Sequence, residues 1–383
     1  MDYQNIFVGG QWREPASEKR ISVECPVNRE IMGSCPEATE QDVDAAVNAA
    51  KSALAGEKWS STSGEERASH IDALSAAMKS RTDDLAVCAA KEIAAPYSFC
   101  KGQVAMARMT LKFYGQLARE YEFEERRTGY FGQVLVRKEP VGVIAAIVPF
   151  NGPLFAAMLK IGPALASGST VVLKVPVEAP LFSYVLAECI QEAAIPAGVI
   201  NILTADRDAS EYLVAHPDVN MASITGSVVA GRRVAEICGS QIKRAALELG
   251  GKSAAIVCPD AELATVVPEL AKASVINSGQ ACAAQTRILI PRKRYEETVS
   301  ALGDAYRAMK VGDPFDPETA LGPMIHERHF ERVKACISAG LEEGARLVTG
   351  GGTPEHLKSG YFIEPTLLAD VTSDMQIARE EIF

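Results

Sequence analysis

Three residues, a cysteine, a glutamate and an asparagine, stand in settings that packing alone does not call for. Cys282 closes the run Asn277-Ser278-Gly279-Gln280-Ala281-Cys282, at the predicted C-terminal end of a helix. A cysteine just after a glycine-containing turn can present its sulfur and its own backbone N–H into a cleft. The alternative is a small buried hydrophobe, the ordinary state of a free cysteine, and it is the expectation for the other cysteines of the nine. Glu248 lies between two leucines in Leu247-Glu248-Leu249-Gly250-Gly251-Lys252. Partial burial there would raise its pKa and suit it to general-base work. A surface residue on a strand edge or a helix-capping group fits the same pattern, and Lys252 reads as a solvated charge. Asn151 follows the strongest strand of the chain, in Pro149-Phe150-Asn151-Gly152-Pro153-Leu154. An asparagine there can donate an amide N–H to a developing oxyanion. It can equally serve an ordinary strand-to-helix turn, which Asn and Pro both favour.

Two further sites suit a nucleotide. Lys174, in Leu173-Lys174-Val175-Pro176, ends a predicted strand and can reach a ribose hydroxyl or a phosphate, although strand-end lysines are common. Thr225-Gly226-Ser227, with Gly231 four residues on, opens a helix whose backbone N–H groups can face a pyrophosphate. No GxGxxG fingerprint follows any strand, so ordinary dinucleotide-fold logic alone gives no cofactor.

The elements that must position these residues alternate. Residues 141–148 and 169–175 read as buried strands, each followed by a helix, over 154–167 and 181–194. Residues 199–205 and 221–227 continue the series, with helices starting near Asp208 and Val228. Such alternation implies right-handed βαβ units and a mostly parallel sheet, whose strands are apolar on both faces. Ahead of it, residues 40–120 form Ala-rich helices, among them 65–80 and 84–93, and 129–140 reads as a β-hairpin arm. A second α/β region begins near Gly250, with strands at 253–258 and 287–290. Its helices run over 263–278 and from Glu296 and His326.

Composition excludes other classes. A net charge of −10 with no basic stripe argues against nucleic acid. Nine cysteines without a CxxC pair read as reduced thiols in a cytoplasmic protein. No secretory signal opens the chain, and its longest apolar run, 141–150, is about half a membrane span.

Taken together these motifs resemble the aldehyde dehydrogenase superfamily. PFNGPL, LKV with a proline downstream, ITGS with Gly231, LELGGK, GQAC and the closing Glu380-Glu381-Ile382-Phe383 stand in that family's order and spacing. The resemblance implies an α/β chain with a Rossmann-like NAD(P)-binding domain over 1–122 and 140–248. An oligomerisation β arm would span 123–139 and a catalytic domain 249–383. It implies Cys282 as the nucleophile on the aldehyde carbon. The Asn151 side chain and the Cys282 N–H would hold the oxyanion, each contributing about 3–4 kcal/mol. Hydride passes to the nicotinamide, and Glu248 activates the water that hydrolyses the thioester. Lys174 and Glu381 would hold the riboses, Ser227 with Gly226 and Gly231 the pyrophosphate. Pro149, Phe150, Gly250 and Phe383 would complete the cofactor cleft. The cofactor is NAD, with NADP the alternative, the substrate a small-molecule aldehyde, and the assembly a homodimer or homotetramer.

The chain departs from the family at three places. The glutamate that usually follows the lysine by three residues is Val177 here, with Glu178 next. The aromatic before the asparagine is Phe150 where the family has Trp, and Gly152 replaces a Phe. A glycine there gives a roomier entrance, which leans toward bulky or aromatic aldehydes. Family members also continue past the position of Phe383, so the catalytic domain is expected to lack its C-terminal part, leaving apolar surface uncovered. The rival reading is a catalytically impaired NAD(P)-binding fragment; intact Cys282, Glu248 and Asn151 stand against it. A relative that acylates coenzyme A would generally lack Glu248, and a cysteine hydrolase would need a histidine that no motif pairs with Cys282. The sequence thus predicts weak activity or stability for the 383-residue chain alone. Ordinary turnover of an aldehyde by the purified chain, with one cooperative thermal transition, would overturn that expectation.

Overall fold

A computed structural model describes residues 1–383, which divide into two compact units. The first comprises Met1–Val23, Gly33–Ala86 and Lys101–Glu248; the second comprises Glu24–Met32, Val87–Cys100 and Leu249–Phe383. Two segments assigned from sequence to the first domain, Glu24–Met32 and Val87–Cys100, thus belong to the second unit.

The first unit is built on a seven-stranded sheet. Its order is Arg244–Leu249, Met221–Gly226, Val143–Ile147, Thr170–Val175, Ile200–Thr204, Ile6–Val8, Gln11–Arg13. The strands from Met221 to Thr204 in that order are mutually parallel, while Ile6–Val8 runs antiparallel to both its neighbours. The series thus joins a mixed sheet rather than a purely parallel one. Its central strand, Val143–Ile147, is buried at every position. Val143, Ala145 and Ile147 pack in one core with Val43, Val47 and Ala50 of helix Glu40–Ala55 and Leu213 and Val234 of two later helices. Ile144 and Ala146, which face the other way, are as buried, and helix Pro153–Ser167 contacts this strand and the next. Both faces of the strand are therefore covered, which explains its unbroken apolar run.

Pro153 occupies the first helical position of Pro153–Ser167, where its missing N–H costs nothing, and Gly168 ends the helix in the left-handed conformation at φ 82°. The arm is a hairpin of Glu124–Gly129 with Gly132–Arg137. Tyr130 and Phe131 form the turn of the hairpin.

In the second unit the strands Ala254–Ile256 and Arg287–Leu289 pair in parallel. Helices Leu263–Ser274 and Tyr295–Arg307 pack through Val267, Ala271, Leu302 and Tyr306. Helix Glu327–Glu342 closes a smaller core of Met324, Val333, Ile337, Tyr361 and Ile363. The helix expected over 263–278 stops at Ser274. Asn277 and Ser278 then take left-handed φ values of 53° and 58°, and Gly279 80°. No helix of the chain is long and apolar enough to cross a membrane.

Candidate active site

The order of the parallel strands reverses between Val143–Ile147 and Met221–Gly226, and ligands of open α/β sheets bind at such switch points, beyond the carboxyl ends of the strands. The register brings three predicted residues to that edge. Ile147 pairs with Lys174 on one side and with Ile224 on the other, so Pro149, Phe150 and Asn151 leave the sheet between Lys174 and the Gly226–Ser227 turn. Asn151 and Gly152 are half-buried, and Gly152 is the N-cap of the helix that follows.

Ser227 caps helix Val228–Ser240, its hydroxyl accepting from the Ala230 N–H at 3.2 Å. Gly226 has no backbone neighbour where a Cβ would stand, only the Ile224 side chain at 3.7 Å. An open backbone beside a positive helix end is a cradle for a phosphate group. Burial lowers the pKa of Lys174, while the charges of Glu178 and Asp206 oppose that shift. Glu178 itself is half-buried. Glu248 is exposed, so the partial burial that would favour a general base is absent.

Lys160 was not legible as functional. A lysine among apolar residues of a helix reads as a solvated charge, yet it is 6% exposed. Its ammonium donates to Thr225 Oγ1 at 2.9 Å and Ser223 Oγ at 3.2 Å. Burial brings its pKa down to about 8, against the opposing charge of Glu248. The roomier entrance expected at Gly152 is also not realised. The Gln103 side chain fills that space, its amide atoms standing 2.9 and 3.1 Å from where a Cβ would be.

The second unit holds Gly250, Cys282, Glu381 and Phe383. Cys282 is an exposed free thiol on a turn, and Ser253 Oγ donates to its carbonyl at 3.4 Å. Left-handed backbone costs most non-glycine residues about 1–2 kcal/mol, asparagine less, so the preceding Ser278 in particular holds strain that its surroundings must maintain. Glu381 is half-buried, its pKa raised by burial, and its Oε1 is buried without a hydrogen-bond partner. An orphaned carboxylate oxygen fits a ribose hydroxyl as donor. Helix Glu327–Glu342 holds this segment from behind, a role the sequence did not disclose. Arg332 Nη2 donates to the Glu381 carbonyl at 2.8 Å, and His329 Nε2 lies 3.1 Å from the Phe383 carbonyl. Burial brings His329 down to about 4.

The sequence profile of the aldehyde dehydrogenase family matches residues 12–383. The chain belongs to that family. Its reaction is the family's, oxidation of an aldehyde to an acid with a nicotinamide cofactor. It is 42% identical to a geranial dehydrogenase of Castellaniella defragrans, over 100% of this chain and 80% of that protein. It is 37% identical to a 3-succinoylsemialdehyde-pyridine dehydrogenase of a Pseudomonas species, again over 100% and 80%. Among solved structures, the aldehyde dehydrogenase of Mycobacterium tuberculosis complexed with NAD+ superposes with a TM-score of 0.97 at 42% identity, covering 100% of this chain and 79% of that one. A mutant of aldehyde dehydrogenase C from Pseudomonas syringae, complexed with NAD+ and octanal, gives 0.95 at 37%, covering 99% and 78%. The two-part α/β architecture is therefore the aldehyde dehydrogenase fold.

The Lys160 pKa predicts a pH signature. A lysine lowered from 10.5 to about 8 is bare in the folded protein while the unfolded chain still holds its proton. Stability from this group is thus least below pH 8 and rises between pH 8 and 10.5, by up to about 1.4 kcal/mol per pH unit. Urea denaturation at pH 7.5, 8.5 and 9.5 should show wild type gaining on Lys160→Met as pH rises. A constant difference between the two proteins would refute the assignment.

Proposed function

We propose that this chain oxidises hydrophobic aldehydes with NAD, using Cys282 as nucleophile, Asn151 as oxyanion donor and Glu248 as general base. The observation that carries the reading is the Cys282 turn: an exposed thiol, tied to Ser253 through its carbonyl and raised on left-handed residues. Glu248 would take the Cys282 proton, and attack of the sulfur on the aldehyde carbon puts negative charge on the oxygen. The Asn151 amide and the Cys282 N–H are the donors offered to that charge. Loss of the aldehyde hydrogen as hydride would then leave the thioester. The bound cofactor supplies the hydride acceptor. Glu248 then takes a proton from the water that attacks the thioester, and the Cys282 thiolate leaves with release of the acid.

For the cofactor, Lys174 and Glu381 would take ribose hydroxyls, and Gly226 with the helix end at Ser227 the pyrophosphate. Pro149, Phe150 and Phe383 would line the remaining walls, while Gly231, buried within helix Val228–Ser240, would act on the pyrophosphate only through that helix. Glu178, near Lys174, sets a negative charge that disfavours an added 2′-phosphate, which supports NAD over NADP.

The substrate class rests on one helix face. Met106, Met109 and Phe113 of helix Tyr97–Glu120 recur at helical spacing and are 49%, 70% and 60% exposed. Such a row suits a medium-length apolar aldehyde, in keeping with the geranial named for one relative and the octanal for another. A cytoplasmic setting is supported by nine free thiols. A homodimer or homotetramer is supported by the arm, whose turn residues Tyr130 and Phe131 are 97% and 99% exposed.

Turnover of an aldehyde panel with NAD tests the reaction. Cys282→Ala should abolish it, and Asn151→Ala should cost about 10²–10³-fold in kcat. Glu248→Gln should release one equivalent of reduced cofactor per chain and then slow by about 10²–10⁴-fold. A Glu248→Gln enzyme with wild-type steady-state turnover would remove the general base from the scheme, and cofactor binding without turnover would favour the impaired-fragment reading. Octanal should give a lower KM than a short charged aldehyde; the reverse order would reject the apolar class. Light scattering should find an oligomer that the double change Tyr130→Ser, Phe131→Ser weakens, whereas a monomeric wild type would refute the arm's role.

A further inference from the structure

The turn before Cys282 is costly chiefly at Ser278, which is left-handed without being glycine or asparagine, while Asn277 beside it takes the same conformation more readily. Two buried side chains fasten it to residues 322–325 of the same unit. Ser278, 9% exposed, donates from its hydroxyl to the Gly322 carbonyl at 2.9 Å. Gln280, 2% exposed and two residues before Cys282, uses both ends of its amide. Its Oε1 accepts from the Ile325 N–H at 3.0 Å, and its Nε2 points to the Pro323 and Asn277 carbonyls at 3.4 and 3.5 Å. The facing segment is itself fixed: a Cβ on Gly322 would collide with the Ala94 carbonyl, and the Met324 N–H donates to the Tyr361 carbonyl at 2.9 Å.

We propose that Gln280 is a positioning residue for the reaction, its amide clamping the left-handed turn to residues 322–325 and so setting where the Cys282 sulfur stands. Glutamine suits this because one side chain must give an acceptor to an N–H and a donor to carbonyls. Glutamate would set a carboxylate oxygen against the Pro323 carbonyl, and methionine would leave the Ile325 N–H buried without an acceptor. The inference rests on the role of Cys282 given above.

The test compares wild type, Gln280→Met, Gln280→Glu and Ser278→Ala as full chains. Alkylation of Cys282 by iodoacetamide is followed by peptide mass spectrometry, and kcat is expressed per chain that binds NAD in a titration, which removes any unfolded fraction. Gln280→Met and Gln280→Glu should lose about 100-fold in kcat, as displacements near an ångström do. They should also shift the pH profile of Cys282 alkylation, while that of the exposed Cys258 and the Kd for NAD hold within about threefold. Should the Gln280 variants fail to fold, Ser278→Ala, which cuts one bond of the same clamp, should lose about tenfold with the same alkylation signature. Wild-type kcat and an unchanged alkylation profile in Gln280→Met, or in Ser278→Ala where only that variant folds, would overturn the inference. Activity surviving Cys282→Ala would instead reject the catalytic scheme on which it rests.

Discussion

Ile147 pairs with Lys174 on one side and Ile224 on the other, and the placing of Lys174 relative to the turn at Gly226 depends on that alignment. A strand slipped by one residue would turn its side chains to the opposite face, and Lys174 would point away from the turn at Gly226. Hydrophobic burial cannot set this register, because these strands are apolar on both sides and gain almost as much in a slipped pairing. Polar groups at the other end of the sheet set it. Asn220 accepts from the Val143 N–H with its side chain at 2.8 Å and donates to the Val143 carbonyl with its own N–H at 2.9 Å. Ser169 Oγ accepts from the Val141 N–H at 3.1 Å. Asn201, fully buried, joins the Gly9 N–H to the Gly198 and Val171 carbonyls. The bonds from Asn201 to the Gly198 and Val171 carbonyls are buried and the other side-chain bonds partly buried; a buried bond left unmade costs about 1–3 kcal/mol, which weighs against a slip that apolar contacts would tolerate.

The second unit meets the opposite difficulty. No repeating ladder aligns Cys282, which follows a turn of left-handed residues, and isolated left-handed backbone relaxes readily. Buried side chains stand in for a ladder there, each satisfied within the unit. The two units thus place their chemistry by different means, the first by strand register and the second by a braced turn.

The strand–helix alternation was legible because burial on both faces leaves an unmistakable run such as 143–147, and the motif residues were legible because charge or amide stands where packing would use carbon. The helix expected to continue to residue 278 carries apolar residues only to Ile276, and Asn277 and Gly279, types that take left-handed backbone readily, were the local signal that it stops. What the sequence hid was otherwise tertiary. Lys160 has the composition of a snorkelling lysine, and only the hydroxyls of Ser223 and Thr225, more than sixty residues on, make its burial tolerable. Gly152 looked like an opening because glycine is small, yet Gln103 fills the vacated space from another helix. Glu24–Met32 and Val87–Cys100 carry no local mark of the unit they join.

Gly250 shows how a glycine can leave room for a neighbouring side chain. The family resemblance puts it in the cofactor cleft. In this chain a Cβ at 250 would collide with the carboxylate of Glu381. The room that glycine leaves is therefore occupied by a side chain, and the approach it permits is that of Glu381. Because the same carboxylate keeps Oε1 buried and unpartnered, the glycine lets an acceptor stand close to the backbone with one oxygen still to be satisfied. Replacing Gly250 by alanine would displace that acceptor before it touched any ligand. Loss of cofactor affinity in such a variant would therefore report on Glu381, as the carboxylate most directly displaced.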